Sequence, residues 1–253
     1  DIAYLRSLNL FDEGFLEYLR NMKFTGDVYA VKEGTPVFPS EPILTIKAPL
    51  IQAQFAETAL LNIINHQTLI ATKSSKICRA TQGKGIVMEF GLRRAQGPDA
   101  GISGARAAVI GGCASTSNVI AAKKFDIPAA GTMAHSFVTA FGSSVSGEHK
   151  AFSTYIQTHK DEPIILLIDT YDTLRCGILN AMKAFKANGI DDSYEAGYGV
   201  RLDSGDLAYL SKKARQMLDE AGYPDAKICV SNSLDEHLIR DMDIQGACID
   251  SYG

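Results

Sequence analysis

Three short, mostly apolar segments of the chain each end at an aspartate, namely Asp169, Asp203 and Asp250. Runs of this length without polar alternation are typical of parallel strands that are covered on both faces. Helical stretches separate these strand-then-acid units, which predicts a parallel α/β barrel or sheet. In such folds the carboxyl ends of several strands meet at one pocket. We therefore expect the functional side chains at these strand ends.

The predicted strand ends carry acidic, guanidinium and imidazole groups beside glycine, serine and threonine. Arginine forks bind phosphate or carboxylate through two hydrogen bonds, and aspartates bind sugar hydroxyls or hold Mg²⁺ through water. The mixture indicates a phosphorylated, hydroxyl-rich substrate. An aspartate ahead of a helix is also a good N-cap, so the functional interpretation depends on the recurrence of these groups. They are Glu89, Arg93, Arg94, His135, Asp169, Asp172, Arg201, Asp203, Asp206, Ser231, Asn232 and Asp250.

His135 differs from the other four histidines in its position. It follows the apolar run 127–130, whereas the others lie in helical or polar stretches. A histidine taken alone is more often a hydrogen-bonded structural residue than a catalytic one. Acids at the following strand end, however, could hold one ring nitrogen of His135 and fix its tautomer. An imidazole oriented in this way is a base or a nucleophile.

The composition argues against several functional classes. A formal net charge of -4 over 253 residues leaves no basic stripe for a phosphate backbone, so no nucleic acid partner is expected. Apolar runs such as 163–168 are far shorter than the roughly 20 residues of a membrane-spanning helix, so no membrane partner is expected. The five cysteines form no close pairs, which argues against a disulfide framework or a zinc knuckle and favours a reducing, cytoplasmic location. No dinucleotide-binding or Walker motif is present.

Two domains are predicted from a change in the sequence pattern. Residues 1–76 combine helical spacing, short strands bounded by prolines and a long helix, which predicts a partial N-terminal α/β domain with a linking helix. Residues 77–253 predict a partial, irregular parallel α/β barrel, incomplete at its C-terminal end, as the catalytic domain. Because the chain begins with Asp1 rather than Met and ends directly after a predicted strand, we expect an internal piece of a longer protein. The expected strand runs are 86–90, 127–130, 164–168, 199–202, 227–230 and 247–249, and the expected helix stops are Gly189 and Gly222.

Four motifs, at 89–99, 131–137, 168–172 and 200–206, follow one another in an order and type that resemble the nicotinate phosphoribosyltransferase family. The resemblance extends over nearly the whole chain. It implies a small α/β domain attached to an irregular seven-stranded α/β barrel, and a homodimer with a shared active site. It also implies ATP-coupled transfer of the phosphoribosyl group from phosphoribosyl pyrophosphate to nicotinate, which gives nicotinate mononucleotide for NAD salvage. ATP and Mg²⁺ are the implied cofactors, and no residue is singled out as a metal ligand.

The resemblance also implies roles for individual residues. His135 is similar to the histidine that ATP phosphorylates, and Asp169 to the carboxylate that orients it. Phe90 is similar to the aromatic residue that stacks on the pyridine ring. Arg93 is similar to the arginine near the phosphoribosyl phosphate.

Four further positions match substrate contacts of the family. Thr132 and Arg201 fall where the relatives contact nicotinate, and Asp203 and Asn232 fall where they meet the ribose side of the substrate. The run 113–118 contains no acid, although the nicotinamide-using relatives carry an aspartate there. A carboxylate in that place would repel nicotinate, so its absence favours the acid over the amide.

The reaction chemistry agrees with these assignments and leaves alternatives open. The pyridine nitrogen is itself the nucleophile, so the protein mainly positions the partners and stabilises a cationic sugar and a departing magnesium pyrophosphate. The alternatives are a nicotinamide or quinolinate phosphoribosyltransferase, or a non-catalytic ligand-binding fragment. The family's phosphate-binding loop follows the strand that ends at Gly253, and an N-terminal tyrosine segment completes the partner's pocket. We therefore expect little or no activity from this chain alone.

Overall fold

The computed structural model describes residues 1–142 and 144–253. The described chain forms two compact units, Asp1–His66 and Gln67–Gly253. This division falls inside a long helix, α3, that spans Leu50–Ala80. The predicted domain boundary after residue 76 falls inside the same helix and stays a prediction.

The first unit is a small α/β structure, as expected. The helix α2 begins where the carboxylate of Asp12 accepts a 2.9 Å hydrogen bond from the backbone N–H of Phe15. The two strands are antiparallel, with Asp27 opposite Lys47. Before α3, the elements are α1 (Ile2–Ser7), α2 (Glu13–Asn21), β1 (Asp27–Ala30) and β2 (Leu44–Lys47).

The second unit alternates strands and helices. Its strands are β3 (Ile86–Glu89), β4 (Ser115–Thr116), β5 (Ile164–Leu167), β6 (Tyr198–Leu202), β7 (Lys227–Val230) and β8 (Ser251–Tyr252). Its helices after α3 are α4 (Pro98–Ile110), α5 (Val119–Phe125), α6 (His135–Thr139), α7 (Val145–Thr158), α8 (Ile178–Asn188), α9 (Leu207–Glu220) and α10 (Glu236–Ile244). A 3₁₀ turn covers Leu92–Arg94, and a π-helical turn covers Thr173–Gly177. No helix in the described parts of the chain is both long and apolar enough to cross a membrane.

The six strands of this unit form one parallel, open sheet in the order β4-β3-β8-β7-β6-β5. Leu167 pairs with Arg201, which in turn pairs with Cys229, so the ends of β5, β6 and β7 lie side by side. The strands are apolar because helices cover them, and Ile164, Leu166 and Leu167 are fully buried. These findings confirm the expected α/β class and the incomplete barrel.

Two predicted strands differ from the structure. The run 127–130 contributes only an isolated parallel bridge between Ala129 and Thr116. The run 247–249 is not a strand, because its first backbone N–H instead bonds to the carbonyl of Met242 and closes the end of α10. The last strand, β8, begins only at Ser251.

Glycines end two helices as predicted. Gly189 caps α8 in the left-handed conformation with φ +69°, and Gly222, with φ +85°, follows the end of α9. These stops return the chain towards the start of the next strand.

Gly177 allows the π-helical turn to touch the end of β5. A Cβ atom at this position would lie 1.8 Å from the backbone carbonyl oxygen of Ile168, a contact that no side chain can make. Ile168 directly precedes Asp169. Because Gly177 has no side chain, the start of α8 packs directly on Ile168, next to Asp169.

We predict that Gly177→Ala lowers the free energy of unfolding by about 3 kcal/mol, because backbone must move to admit the methyl group. Urea unfolding followed by circular dichroism measures the effect. Gly131→Ala is the matched control, since nothing lies within 4 Å of a Cβ built there. Equal unfolding midpoints for the two variants would contradict the prediction.

Candidate active site

A histidine and an aspartate meet at the carboxyl ends of the strands. His135 is the first residue of α6, and Asp169 follows β5 after Ile168. Nε2 of His135 lies 3.1 Å from Oδ1 of Asp169. The imidazole is 42% exposed, whereas the carboxylate is 1% exposed. A ring that a buried acid holds at one nitrogen, and that is otherwise open to solvent, is arranged to act as a base or a nucleophile.

Asp169 is anchored through its second oxygen to the segment that follows β6. Its Oδ2 accepts a 3.0 Å hydrogen bond from the backbone N–H of Asp203 and another from the hydroxyl of Ser204. A carboxylate that is withdrawn from water requires such donors. Because both oxygens are bonded, the orientation of the carboxylate is fixed, and so is the ring that it holds.

Arg201 is held by three hydrogen bonds from its guanidinium group. It donates to the hydroxyl of Ser231 at 2.7 Å, to the carbonyl of Met133 at 3.1 Å and to Oδ1 of Asp203 at 3.0 Å. The side chain is only 13% exposed. An arginine carries five N–H donors, so two donors remain beyond those engaged within the described chain. The group can therefore receive a further carboxylate or phosphate without losing its own support.

Asp203 joins Arg201 to the end of β7. The same Oδ1 that accepts from Arg201 also accepts from the hydroxyl of Ser231, which directly follows β7. Burial by itself would raise the pKa of Asp203, but the Ser231 hydrogen bond and the Arg201 charge together outweigh burial and hold that pKa below its ordinary value. Asp203 therefore stays charged to a lower pH than an ordinary aspartate does.

Asn232 occupies a strained backbone conformation beside Asp203. Its φ is +137°, which is unusual for a residue with a side chain. Its amide donates a 3.0 Å hydrogen bond to the backbone carbonyl of Asp203, which ties the segments after β6 and β7 together. A cavity of about 400 Å³ opens next to it between these segments and α10. This volume is in the range of small-ligand pockets.

The other three predicted substrate residues, Phe90, Thr132 and Arg93, differ in how they contact the network. Phe90 packs on Gly253, where an added Cβ would lie 2.5 Å from the phenyl ring and 3.4 Å from Cβ of Ser231. The hydroxyl of Thr132 lies 3.4 Å from the carbonyl oxygen of Ile165, to which it donates.

Arg93 lies exposed on the 3₁₀ turn. Within residues 1–142 and 144–253, no hydrogen bond or ion pair joins it to the network. The structure therefore brings five of the eight predicted residues into one contact network and places two beside it. The five are His135, Asp169, Arg201, Asp203 and Asn232, and the two are Phe90 and Thr132.

Three supporting groups received no individual role from the sequence, although Ser231 was among the strand-end groups named there. Ser204 bonds Asp169, and Ser231 bonds both Arg201 and Asp203. These two serines adjoin predicted strand ends, so their positions were a usable signal. The carbonyl of Met133 accepts from Arg201, and a backbone acceptor leaves no signal in the sequence.

Other strand-end aspartates have structural roles. Asp172 accepts hydrogen bonds from the backbone N–H groups of Leu174 and Arg175 and so caps the π-helical turn. Asp206 caps α9 in the same way. The carboxylate of Asp250 accepts a 2.8 Å bond from the backbone N–H of Ile228. The recurrence of acids at strand ends thus has three causes, since some are N-caps, Asp250 bonds the backbone of a neighbouring strand, and others build the site.

Glu148 on α7 is a fully buried acid that the sequence analysis did not single out. One oxygen accepts a 2.8 Å hydrogen bond from the amide of Asn180, and the other has no hydrogen-bond partner in the described part of the chain. Burial raises the pKa of Glu148. Its spacing of four residues from the buried Phe152 was the available signal, because it places the acid on the buried face of α7.

Two family models match the chain. The model described as the nicotinate phosphoribosyltransferase N-terminal domain matches residues 1–65. The model described as the nicotinate phosphoribosyltransferase family matches residues 86–242. The first match lies within the first compact unit, and the second match lies within the second.

Curated relatives carry the same name. A nicotinate phosphoribosyltransferase of Bacillus subtilis is 52% identical over 253 residues, which are 100% of this chain and 50% of that protein. One from Caenorhabditis elegans is 32% identical over 307 residues, which cover 100% of this chain and 54% of that protein. The chain thus spans about half the length of the curated relatives it matches.

Solved structures show the same arrangement. Human nicotinic acid phosphoribosyltransferase aligns with a TM-score of 0.89 and 29% identity, over 100% of this chain and 60% of that one. A nicotinate-nucleotide pyrophosphorylase from Pyrococcus furiosus aligns with a TM-score of 0.77 and 32% identity, over 91% of this chain and 56% of that one.

We predict that Asp203 contributes to stability in a pH-dependent way. Because its pKa is lowered in the folded chain, the unfolded chain binds more protons, and this stability is lost as the pH falls below the ordinary aspartate pKa of about 4. The free energy of unfolding, measured in urea between about pH 5 and pH 3, should fall more steeply for the natural chain than for Asp203→Asn. Asp126→Asn, at an exposed turn, should keep the natural slope. Equal slopes for all three proteins would exclude this contribution.

Proposed function

Because the chain belongs to the nicotinate phosphoribosyltransferase family, we propose that it transfers the phosphoribosyl group of phosphoribosyl pyrophosphate to nicotinate. The product is nicotinate mononucleotide, a precursor of NAD. The observation that carries the proposal is the contact network around Asp169 and Arg201, which lies within the residues that the family model matches. The chain spans about half the length of its curated relatives, so the substrates and the activity belong to this proposal.

The network suits a reaction in which the protein positions two charged substrates. The pyridine nitrogen of nicotinate attacks the anomeric carbon, the bond from this carbon to the pyrophosphate oxygen breaks, and pyrophosphate leaves with the electron pair. Arg201 has donors left for the carboxylate of nicotinate. Asp203, which stays charged, suits the ribose hydroxyls and the cationic sugar of the transition state.

Three further groups complete the substrate assignments. Phe90 would stack on the pyridine ring, and Thr132 would contact nicotinate. The amide of Asn232, beside Asp203, would meet the ribose side. Arg93 is exposed on its 3₁₀ turn, and its guanidinium group would bind a phosphate of the phosphoribosyl substrate.

We further propose that ATP phosphorylates His135. Asp169 occupies Nε2 of the ring, which leaves Nδ1 as the nitrogen that would attack the γ-phosphorus while ADP leaves. The buried carboxylate would stabilise the positive charge that develops on the ring. This step would couple ATP hydrolysis to an otherwise reversible synthesis.

The acids of the site fit Mg²⁺ that arrives with pyrophosphate. No group of three histidine, cysteine or acidic side chains in residues 1–142 and 144–253 could hold a metal ion. Mg²⁺ commonly keeps several waters and binds substrate phosphates with one or two carboxylates. Asp203 is the carboxylate of the network that would face it, and the ion would neutralise charge on the leaving pyrophosphate.

A homodimer with a shared active site is part of the proposal. The first unit supports it, because large apolar side chains such as Leu10, Phe38 and Phe55 are exposed there. Exposed apolar side chains in such numbers are typical of surfaces that contact another protein.

Turnover is expected only when the chain is extended. We predict little or no product from the 253 residues alone and clear formation of nicotinate mononucleotide by a fusion that adds the remaining half of the Bacillus subtilis relative. Chromatography of the product measures both rates, and equal rates would refute the dependence on the added half.

In the fusion, nicotinate should be used in preference to nicotinamide or quinolinate. A preference for nicotinamide or quinolinate would identify that compound as the substrate instead of nicotinate. Nicotinate binding without turnover would favour a ligand-binding role.

The role of His135 is tested by labelling with γ-³²P-ATP. The fusion should take up acid-labile label and form more product with ATP, and His135→Ala should reduce the label by at least about 100-fold. Asp169→Asn should lower the rate of labelling without abolishing it, because the ring loses its charged partner. His237→Ala is the control, since this histidine is exposed on α10. Unchanged labelling of His135→Ala would end the assignment.

A further inference from the structure

Two cysteines that the proposed reaction does not use lie next to each other. Cys78 is on α3, and Cys113 is in the turn between α4 and β4. Their Sγ atoms are 4.0 Å apart. Both residues belong to the second compact unit. Sequence spacing gives no sign of this pairing, because 35 positions separate the two residues.

The backbone around Cys113 is packed directly on α3. Gly112 has φ +114°, and a Cβ built on it would lie 3.3 Å from Cβ of Cys78. A Cβ built on Gly111 would lie 2.4 Å from the carbonyl oxygen of Ala71. Two consecutive glycines thus let the turn approach the helix, and this contact holds the two sulfurs together.

The two thiols are not equivalent. Cys78 is partly exposed, and its hydrogen bond with Cys113 lowers its pKa. Cys113 is buried, and the same hydrogen bond, followed by burial, raises its pKa. Cys78 therefore has the greater thiolate character and the better access, while Cys113 is placed to react second.

We propose that Cys78 and Cys113 are a reversible redox pair that closes into an intramolecular disulfide on contact with a low-molecular-weight disulfide such as oxidised glutathione. The Cys78 thiolate attacks one sulfur of the small disulfide and displaces the first thiolate, which takes a proton. The Cys113 sulfur then attacks the mixed disulfide at Cys78, loses its proton and displaces the second thiol. Two electrons pass from the pair to the small disulfide, which becomes two thiols.

The geometry requires a modest closure. The sulfurs must approach by about 2 Å to reach a disulfide bond length. The turn is already close to Cys78, because a Cβ built on Gly112 would lie 3.4 Å from Sγ of Cys78.

The bond would tie α3 to the segment that leads into β4. Strand β4 itself contains Thr116, whose hydroxyl donates to the carboxylate of Glu89 at 2.5 Å. The oxidation state of the pair would therefore act on the position of residues 113–118. The disulfide itself does not depend on the proposed function, because its formation can be measured without turnover.

The test treats the native 253-residue chain with oxidised glutathione, blocks free thiols with N-ethylmaleimide and digests with trypsin. Mass spectrometry should find the peptide 77–79 joined to the peptide 107–123, and the number of free thiols should fall by two. Dithiothreitol should reverse both changes. A chain in which only glutathione adducts form, or in which the joined peptide appears only after unfolding in urea, would overturn the proposal.

Single variants distinguish the order of the two steps. Cys113→Ser should retain a glutathione adduct on Cys78, because the second thiol is missing, and Cys78→Ser should leave Cys113 unmodified. Cys248→Ser is the matched control, since its partly exposed thiol lies near the carbonyl of Gly246 instead. It should form the joined peptide at the natural rate, and loss of the joined peptide in this variant would also overturn the pairing.

Discussion

The site depends on one buried carboxylate. Asp169 is almost fully withdrawn from water beneath an exposed imidazole, and an ion in that position is stable only when its oxygens are bonded. One oxygen meets His135, and the other meets the backbone of Asp203 and the hydroxyl of Ser204. The need to satisfy this charge therefore joins the end of β5 to the end of β6 and fixes the imidazole ring.

The same principle extends the network to β7. Arg201 and Asp203 are both largely buried and compensate each other, and Ser231 bonds to both. Parallel register makes this possible, because it places Arg201 beside Leu167 on one side and Cys229 on the other. Charges that would be costly alone are stable as a set, so the arrangement is preorganised before any substrate binds.

Glycines control how closely the helices approach this sheet. Gly177 brings the start of α8 onto Ile168, next to Asp169, and Gly111 with Gly112 bring the turn before β4 onto α3. The first contact supports the buried carboxylate, and the second brings two thiols together. Both features arise because backbone can pack on backbone only where no side chain intervenes.

The sequence by itself determined the alternation of apolar strands and helices, the glycine helix stops and the presence of acids, arginine and histidine at strand ends. These are local signals, since a strand covered on both faces must be apolar and a helix that stops must satisfy its last carbonyls. Only the tertiary structure decided that Asp169 builds the site while Asp172 is a cap, that the carbonyl of Met133 supports Arg201, and that Cys78 meets Cys113. It also placed the last strand at Ser251 rather than at 247–249. Except for the cap, these features depend on partners that are distant in the chain, and residue spacing carries no information about which distant groups come within hydrogen-bonding distance.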